Sequence, residues 1–156
     1  MRFISKNFLV KISNLNSYLE DDIMFGPNTY RKQLEELGID GMEIDVSTME
    51  KAMETLNYLR DLESVLKKLR LNIRTDIRQI RRDYLKLMRE VEEAPEKNRR
   101  LLGRKSDKIT KKKSLIKERN NKIAAYDLVE TMIDNYLVQI EDARIYIRKS
   151  IEKRVD

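Results

Sequence analysis

Two apolar stripes of the same period constrain the fold of this chain more than any other feature. The first occupies positions 52, 56, 59, 62, 66, 69, 73, 77, 80, 84, 87 and 91, and every residue there is Ala, Leu, Ile, Tyr or Val. The second occupies positions 109, 112, 116, 119, 123, 126, 129, 133, 136, 140, 143, 147 and 151, and is apolar except at Lys112 and Arg119. A mean period of about 3.5 residues is typical of helices that wind around a neighbour. We therefore predict two long helices that fold back on each other as an antiparallel pair.

The N-terminal part of the chain reads as short helical segments. An amphipathic helix is predicted over residues 3–25, and the turn Gly26–Asn28 ends it because proline cannot donate its amide. A second helix is predicted from about Thr29 to Leu37, with Gly38 in the left-handed conformation after its last turn. Residues 39–46 are expected to be an extended connector, since no second strand is available to pair with them.

The start of the first long helix carries a capping-box pattern. Ser47 and Glu50 stand three residues apart, so the serine oxygen can accept an orphan amide while the glutamate reaches back to the amide of the serine. The helix is predicted from about residue 48 to residue 94.

The bend of the hairpin is predicted between Pro95 and Ser106. In one version the second helix begins after Gly103, with Ser106 as its N-cap. In the other, Pro95 only kinks the first helix, residues 96–102 continue it, and Gly103–Ser106 forms the turn.

Apolar residues that lie beside the stripes, which we call spare apolar residues, differ in number along the hairpin. They are frequent far from the bend, at Met49, Met53, Tyr58, Val65, Leu128, Met132, Leu137, Ile145 and Tyr146, and nearly limited to Leu71, Leu85 and Leu115 towards it. We predict an all-α fold, a long coiled-coil-like antiparallel hairpin with short N-terminal helices packed at its base. Residues 1–46 would cover the base, residues 47–156 would form the hairpin, and an arm of roughly 40 Å would end in a basic tip at 95–122. The tyrosines of the stripes, Tyr84, Tyr126 and Tyr136, are expected in the core.

Charge is segregated along the chain. Within the net charge of +6, residues 1–66 hold 7 basic and 12 acidic groups, residues 97–122 hold 12 basic and 2 acidic groups, and the rest of the chain adds +1. A charge run is usually a solvated face, but solubility alone does not require this segregation. The unrelieved basic excess predicts an anionic partner.

Composition excludes most catalytic sites. The chain has no Cys and no His, and its 4 Gly and 2 Pro are too few for a phosphate-cradling loop. We predict no enzyme activity, no cofactor and no metal, and the acidic cluster from Asp40 to Asp45 lacks the spacing of a calcium loop. No apolar run approaches the length of a membrane span, so a cytoplasmic location is expected.

The function predicted from these features is binding of DNA or RNA through the phosphate backbone, largely without sequence preference, because nothing in the chain matches a base-reading motif. The predicted contact residues are Arg74, Arg78, Arg81, Arg82, Arg89, Arg99, Arg100, Arg104, Lys105, Lys108, Lys111, Lys112, Lys113, Lys117 and Arg119.

Two alternatives remain open at this stage. One is a coiled-coil assembly module that docks an acidic protein, and a homodimer is expected with either function. The other, attachment to an anionic membrane surface, requires apolar residues beside the basic ones, and the tip offers only Leu101 and Leu102.

Overall fold

The computed structural model describes residues 25–95 and 103–156, with only the backbone described at 103–106. These residues form three α-helices, α1 (Pro27–Leu37), α2 (Met49–Glu93) and α3 (Gly103–Val155), and a 3-10 turn at Ile39–Gly41. No strand occurs in the described residues, and α2 packs against α3 as a hairpin, so the predicted fold class is confirmed. The helix predicted over residues 3–25 lies outside the described residues.

The chain divides into two compact units. We call Met1–Asn72 with Val129–Asp156 the terminal unit, and Ile73–Leu128 the central unit. By sequence, the terminal unit holds 15 basic and 18 acidic residues, whereas the central unit holds 18 basic and 9 acidic residues. The terminal unit is therefore slightly acidic and the central unit strongly basic.

The core of the terminal unit is built from all three helices. α1 buries Tyr30, Leu34 and Leu37, which recur at helical spacing. The stripe residues of the longer helices are buried with them, namely Ala52, Leu59, Leu62, Leu66 and Leu69 on α2 and Val129, Ile133, Tyr136, Ile140, Ala143 and Ile147 on α3. Arg70 pairs with Asp134 at 3.0 Å and Glu63 pairs with Arg144, so the helices run in opposite directions.

The connector between α1 and α2 is anchored to the helices by polar contacts. Gly38 takes the predicted left-handed conformation, with φ 65°, and the chain then makes the 3-10 turn before it extends. The Tyr136 hydroxyl donates a hydrogen bond of 2.9 Å to Asp40, and burial is the main cause that raises the pKa of this tyrosine. The predicted fully extended connector is therefore wrong for Ile39–Gly41, because the amide of Gly41 bonds back to the carbonyl of Gly38.

Two predicted helix starts differ from the structure by one or two residues. α1 begins at Pro27, two residues before Thr29, because proline fits the first turn, where its missing amide costs nothing. α2 begins at Met49, and its N-cap is Thr48, whose hydroxyl accepts the amide of Lys51 at 3.1 Å. Ser47 instead donates its amide to Asp45 at 2.9 Å, so the predicted cap at Ser47 is wrong.

The described helix bounds test the predicted turn at Gly103–Ser106, whereas the predicted continuation of the first helix over 96–102 lies outside the described residues. α2 ends at Glu93 and α3 begins at Gly103. The turn at Gly103–Ser106 is therefore wrong, and so is Ser106 as an N-cap, because it lies within the first turn of α3.

The central unit has a thinner core that consists of α2 and α3 alone in the described residues. Ile73, Ile77, Ile80 and Tyr84 on α2 are buried with Ile123 and Tyr126 on α3. Beyond them the stripes continue in sequence but lose their cover, since Leu87 is 40% exposed and Ile109 is 53% exposed. The predicted core positions Tyr84, Tyr126 and Tyr136 are confirmed.

Only part of the spare apolar surface is covered. Val65 is buried, and Tyr58, Met132 and Leu137 are half-buried. The remaining predicted members stay exposed, namely Met49, Met53, Leu128, Ile145 and Tyr146. The helix predicted over residues 3–25, which was expected to add to this cover, lies outside the described residues, so the expectation stays a prediction for these five.

The stripe positions of α2 and α3, which we call the seam, predict different contributions to stability for two leucines of α2. Leu69 is 0% exposed and Leu71 is 60% exposed. We expect Leu69→Ala to lower the free energy of unfolding by ~2–5 kcal/mol, because it removes buried methyl groups and leaves a cavity. Leu71→Ala, the matched control, should change it by less than about 0.5 kcal/mol. Urea unfolding followed by circular dichroism measures both, and equal losses would contradict the assigned seam.

The connector predicts an acid-dependent loss of stability. Hydrogen bonds from Ser47, and then contacts with Lys51, hold the pKa of Asp45 at about 2 rather than 3.8. Asp45 should therefore stabilise the folded state fully above about pH 4 and lose this contribution as the pH falls towards 2. We expect Asp45→Asn to be less stable at neutral pH and to lose less stability in this interval, as urea midpoints at several pH values would show. Glu54→Gln serves as the control, and parallel losses in Asp45→Asn and the wild type would contradict this role.

Candidate nucleic-acid interface

The residues that follow the seam residues form one side of the helix pair in the central unit. One residue along an α-helix corresponds to a rotation of about 100°. Because α2 and α3 are both right-handed and run in opposite directions, this rotation leads to the same side of the pair on both helices. The residues that precede the seam residues lie on the opposite side.

The charges on these two sides differ. The side after the seam, which we call the basic flank, carries Arg74, Arg78, Arg81, Leu85, Met88 and Glu92 on α2 and Lys113, Lys117, Asn120, Ala124 and Asp127 on α3. The side before it, the mixed flank, carries Asp76, Gln79, Asp83, Lys86 and Glu90 on α2 and Lys108, Lys111, Leu115, Glu118 and Lys122 on α3. The mixed flank carries four acidic and four basic residues among these. On the basic flank, both acids already have partners, Glu92 in an ion pair with Lys112 and Asp127 in a contact of its own.

Six exposed cations extend over the basic flank and the adjoining outer face of α2. They are Arg78, Arg81, Arg82, Arg89, Lys113 and Lys117, which we call the cationic surface. None of the six forms an ion pair with another residue in the described part of the chain. Within the part of the chain that the structure describes, no carboxylate neutralises these six charges.

Two other predicted contact residues, Lys108 and Lys112, instead form bonds within the protein at the C-terminal end of α2. The Lys108 ammonium donates hydrogen bonds of 3.2 Å to the carbonyls of Glu92 and Ala94, at the end of α2. Lys112 pairs with the Glu92 carboxylate, which lowers the pKa of Glu92. A cation at a helix C-terminus satisfies carbonyls that lack an amide partner and complements the helix dipole. Lys108 and Lys112 therefore have internal partners that a phosphate would have to displace.

Lys122 on the mixed flank also has partners within the protein. The Lys122 ammonium lies 5.3 Å from the ring centroid of Tyr84 and 3.6 Å from Glu118. The contact with Tyr84 is the main cause that raises the pKa of Lys122. A cation over an aromatic face that also pairs with a carboxylate is already stabilised within the protein.

The remaining predicted contact residues have varied surroundings. Lys111 is exposed on the mixed flank, and Arg74 is exposed on the basic flank but already has a partner. Arg119 is half-buried at its seam position and donates to the side chain of Asn120 at 3.1 Å. Arg99 and Arg100, and the side chains of Arg104 and Lys105, lie outside the described part of the structure. The predicted set is thus a mixture of free and internally paired cations.

Neither a metal site nor a membrane span is found in the described residues. Over 25–95 and 103–156, no three acidic side chains come close enough to hold a metal ion. No helix in the same ranges is both long and apolar enough to cross a bilayer.

Comparison with known proteins gives no relative for this chain. No protein-family model matches it, and no curated protein or solved structure is significantly similar to it. Its function must therefore be inferred from its own residues.

The contact at the end of α2 predicts that one lysine supports folding and its neighbour does not. We expect Lys108→Met to lower the free energy of unfolding by about 1 kcal/mol, because two carbonyls lose a charged donor. Lys111→Met, one turn along α3, should leave stability nearly unchanged, since Lys111 has no partner among the described residues. Thermal unfolding monitored by circular dichroism compares the two variants. A Tm equally lowered in both would contradict the internal role of Lys108.

Proposed function

We propose that this protein is a non-enzymatic nucleic-acid-binding protein that contacts the phosphate backbone through its cationic surface. The observation that carries the proposal is the set of six exposed cations without a described ion-pair partner, in a unit with twice as many basic as acidic residues. We further propose a cytoplasmic location, where such a ligand is accessible.

The chemistry of the surface supports binding without sequence preference. Lysine and arginine side chains neutralise phosphates and release the counterions condensed on them. Sequence is read by groups that reach base edges in a groove, and phosphate contacts carry no such information. The cations lie on two helices that are packed side by side. In this arrangement they contact the phosphates on the outside of the nucleic acid.

The proposal predicts a steep dependence on salt. If the six cations each contact one phosphate, the log-log slope for duplex binding is about −5, and affinity falls about 10³-fold between 50 and 200 mM salt. Fluorescence anisotropy with two unrelated duplexes of equal length measures both the slope and the sequence preference. Strong preference for one duplex, or binding that persists unchanged at 200 mM salt, would contradict phosphate-based recognition.

An assembly module is the second candidate function. Val138 and Ile145 are exposed and lie seven residues apart on the outer face of α3, in the terminal unit. This spacing repeats every two turns, so the two side chains would support the docking of another helix, including one from a second copy. Assembly through apolar contacts would persist at salt concentrations that abolish phosphate binding, and sedimentation at 50 and 200 mM salt distinguishes the two.

A further inference from the structure

We infer that the ligand is a double helix, DNA or RNA, and that it lies along the basic flank across both α2 and α3. This inference rests on the proposed function and adds the class of nucleic acid and the side of the helix pair that it contacts.

The aromatic residues of the central unit exclude a stacking platform for single strands. Proteins that bind single strands combine a basic groove with aromatic side chains on which the bases stack. By sequence, the central unit has only two aromatic residues, Tyr84 and Tyr126. They are 4% and 5% exposed, and Tyr84 lies beneath Lys122. Only phosphates remain as targets, and a duplex presents them at the higher density.

The placement of the free cations fits one side of a duplex. Arg78 and Arg89 are eleven residues apart on α2, which corresponds to ~16 Å along the helix axis. A duplex carries one charge per ~1.7 Å of its axis, so this length faces about ten phosphates, of which those on the near side can be contacted. Lys113 and Lys117 on α3 add a second row on the same side.

The charges of the mixed flank argue against a ligand on that side. Asp83 and Glu90 on α2 face the same side as Lys86 and Lys111, and a phosphate there would approach carboxylates as closely as ammonium groups. The repulsion would cancel much of the attraction. A duplex therefore binds the basic flank and leaves the mixed flank in solvent.

A membrane surface fits the same flank less well. Leu85 is 50% exposed among Arg81, Arg82 and Arg89, and Met88 beside it is half-buried. A helix that lies in a bilayer interface needs a continuous apolar face beside its cations. One exposed leucine on the basic flank does not supply that face.

Two double variants with the same change in charge test the flank. Arg81→Glu/Lys117→Glu reverses one cation of each helix on the basic flank, and Lys86→Glu/Lys111→Glu does so on the mixed flank. All four residues are exposed, and circular dichroism verifies that each variant is folded. We expect the first variant to bind a duplex at least ~100-fold more weakly, with the magnitude of the salt slope reduced by about 2. The second should weaken binding less than about fivefold and keep the slope. Equal losses would overturn the assignment of the flank.

If a reversal impairs folding, neutral variants give the same comparison, namely Arg81→Gln/Lys117→Gln and Lys86→Gln/Lys111→Gln. The magnitude of the salt slope should then be reduced only in Arg81→Gln/Lys117→Gln.

The class of ligand is tested with the wild-type protein. Anisotropy is measured with a DNA duplex, an RNA duplex and a single strand of equal length, and with vesicles containing phosphatidylserine. We expect at least one duplex to bind ~10-fold more tightly than the single strand and the vesicles. Single-strand binding as tight as duplex binding would overturn this inference and leave the proposed function standing. Binding to vesicles alone, or to none of these probes, would overturn both.

Discussion

The burial of apolar stripe residues between the antiparallel helices α2 and α3 is the constraint on which this structure depends. In the terminal unit the seam is widened by α1, which adds Tyr30, Leu34 and Leu37 to the core. In the central unit the described core has only α2 and α3, so most residues beside the seam are exposed. A two-helix unit has little interior and much surface, and its side chains are free to be charged because few are needed for packing. This physical difference explains why charged residues are more frequent in the central unit than in the terminal unit.

Packing and charge are coupled through the helical rotation. Once Ile73, Ile77, Ile80 and Tyr84 face α3, the positions of all other side chains on α2 follow from the 100° step between residues. Residues directly after the seam come to one side and residues directly before it to the other. On α2, the sequence places arginine at several positions after the seam residues and aspartate or glutamate at several positions before them. The seam thereby separates charges that are mixed along the chain.

The sequence predicted the helix pair well because the apolar period depends only on which face each helix buries. It located the start of α2 to within one residue, and the tyrosines of the stripes were correctly expected in the core. Local capping was less predictable, since Ser47 and Thr48 are both good caps and the bond from Ser47 to Asp45 decides between them. Tyr30 was not expected in the core, because a single short helix shows too few positions to define its buried face.

The candidate site was only partly predictable for a different reason. All the basic residues near the bend were treated as equivalent, although their order relative to the seam residues already separates Arg81 and Lys117 from Lys86 and Lys111. The internal bonds of Lys108 depend on the residue at which α2 ends, and Pro95 left that residue open. Partners of this kind follow from three-dimensional placement and have no signature in composition or spacing.

The 3.5-residue period of the seam has a consequence for how such a chain can vary. Seven residues inserted at matching positions in both α2 and α3 amount to two turns, so every seam residue still faces its partner and both flanks keep their sides. An insertion of one residue would instead rotate the following part of the helix by about 100° and turn one flank into the interface. Homologous chains could thus gain or lose whole heptads in the central unit, changing the length of its charged flanks while the packing of the terminal unit stays the same.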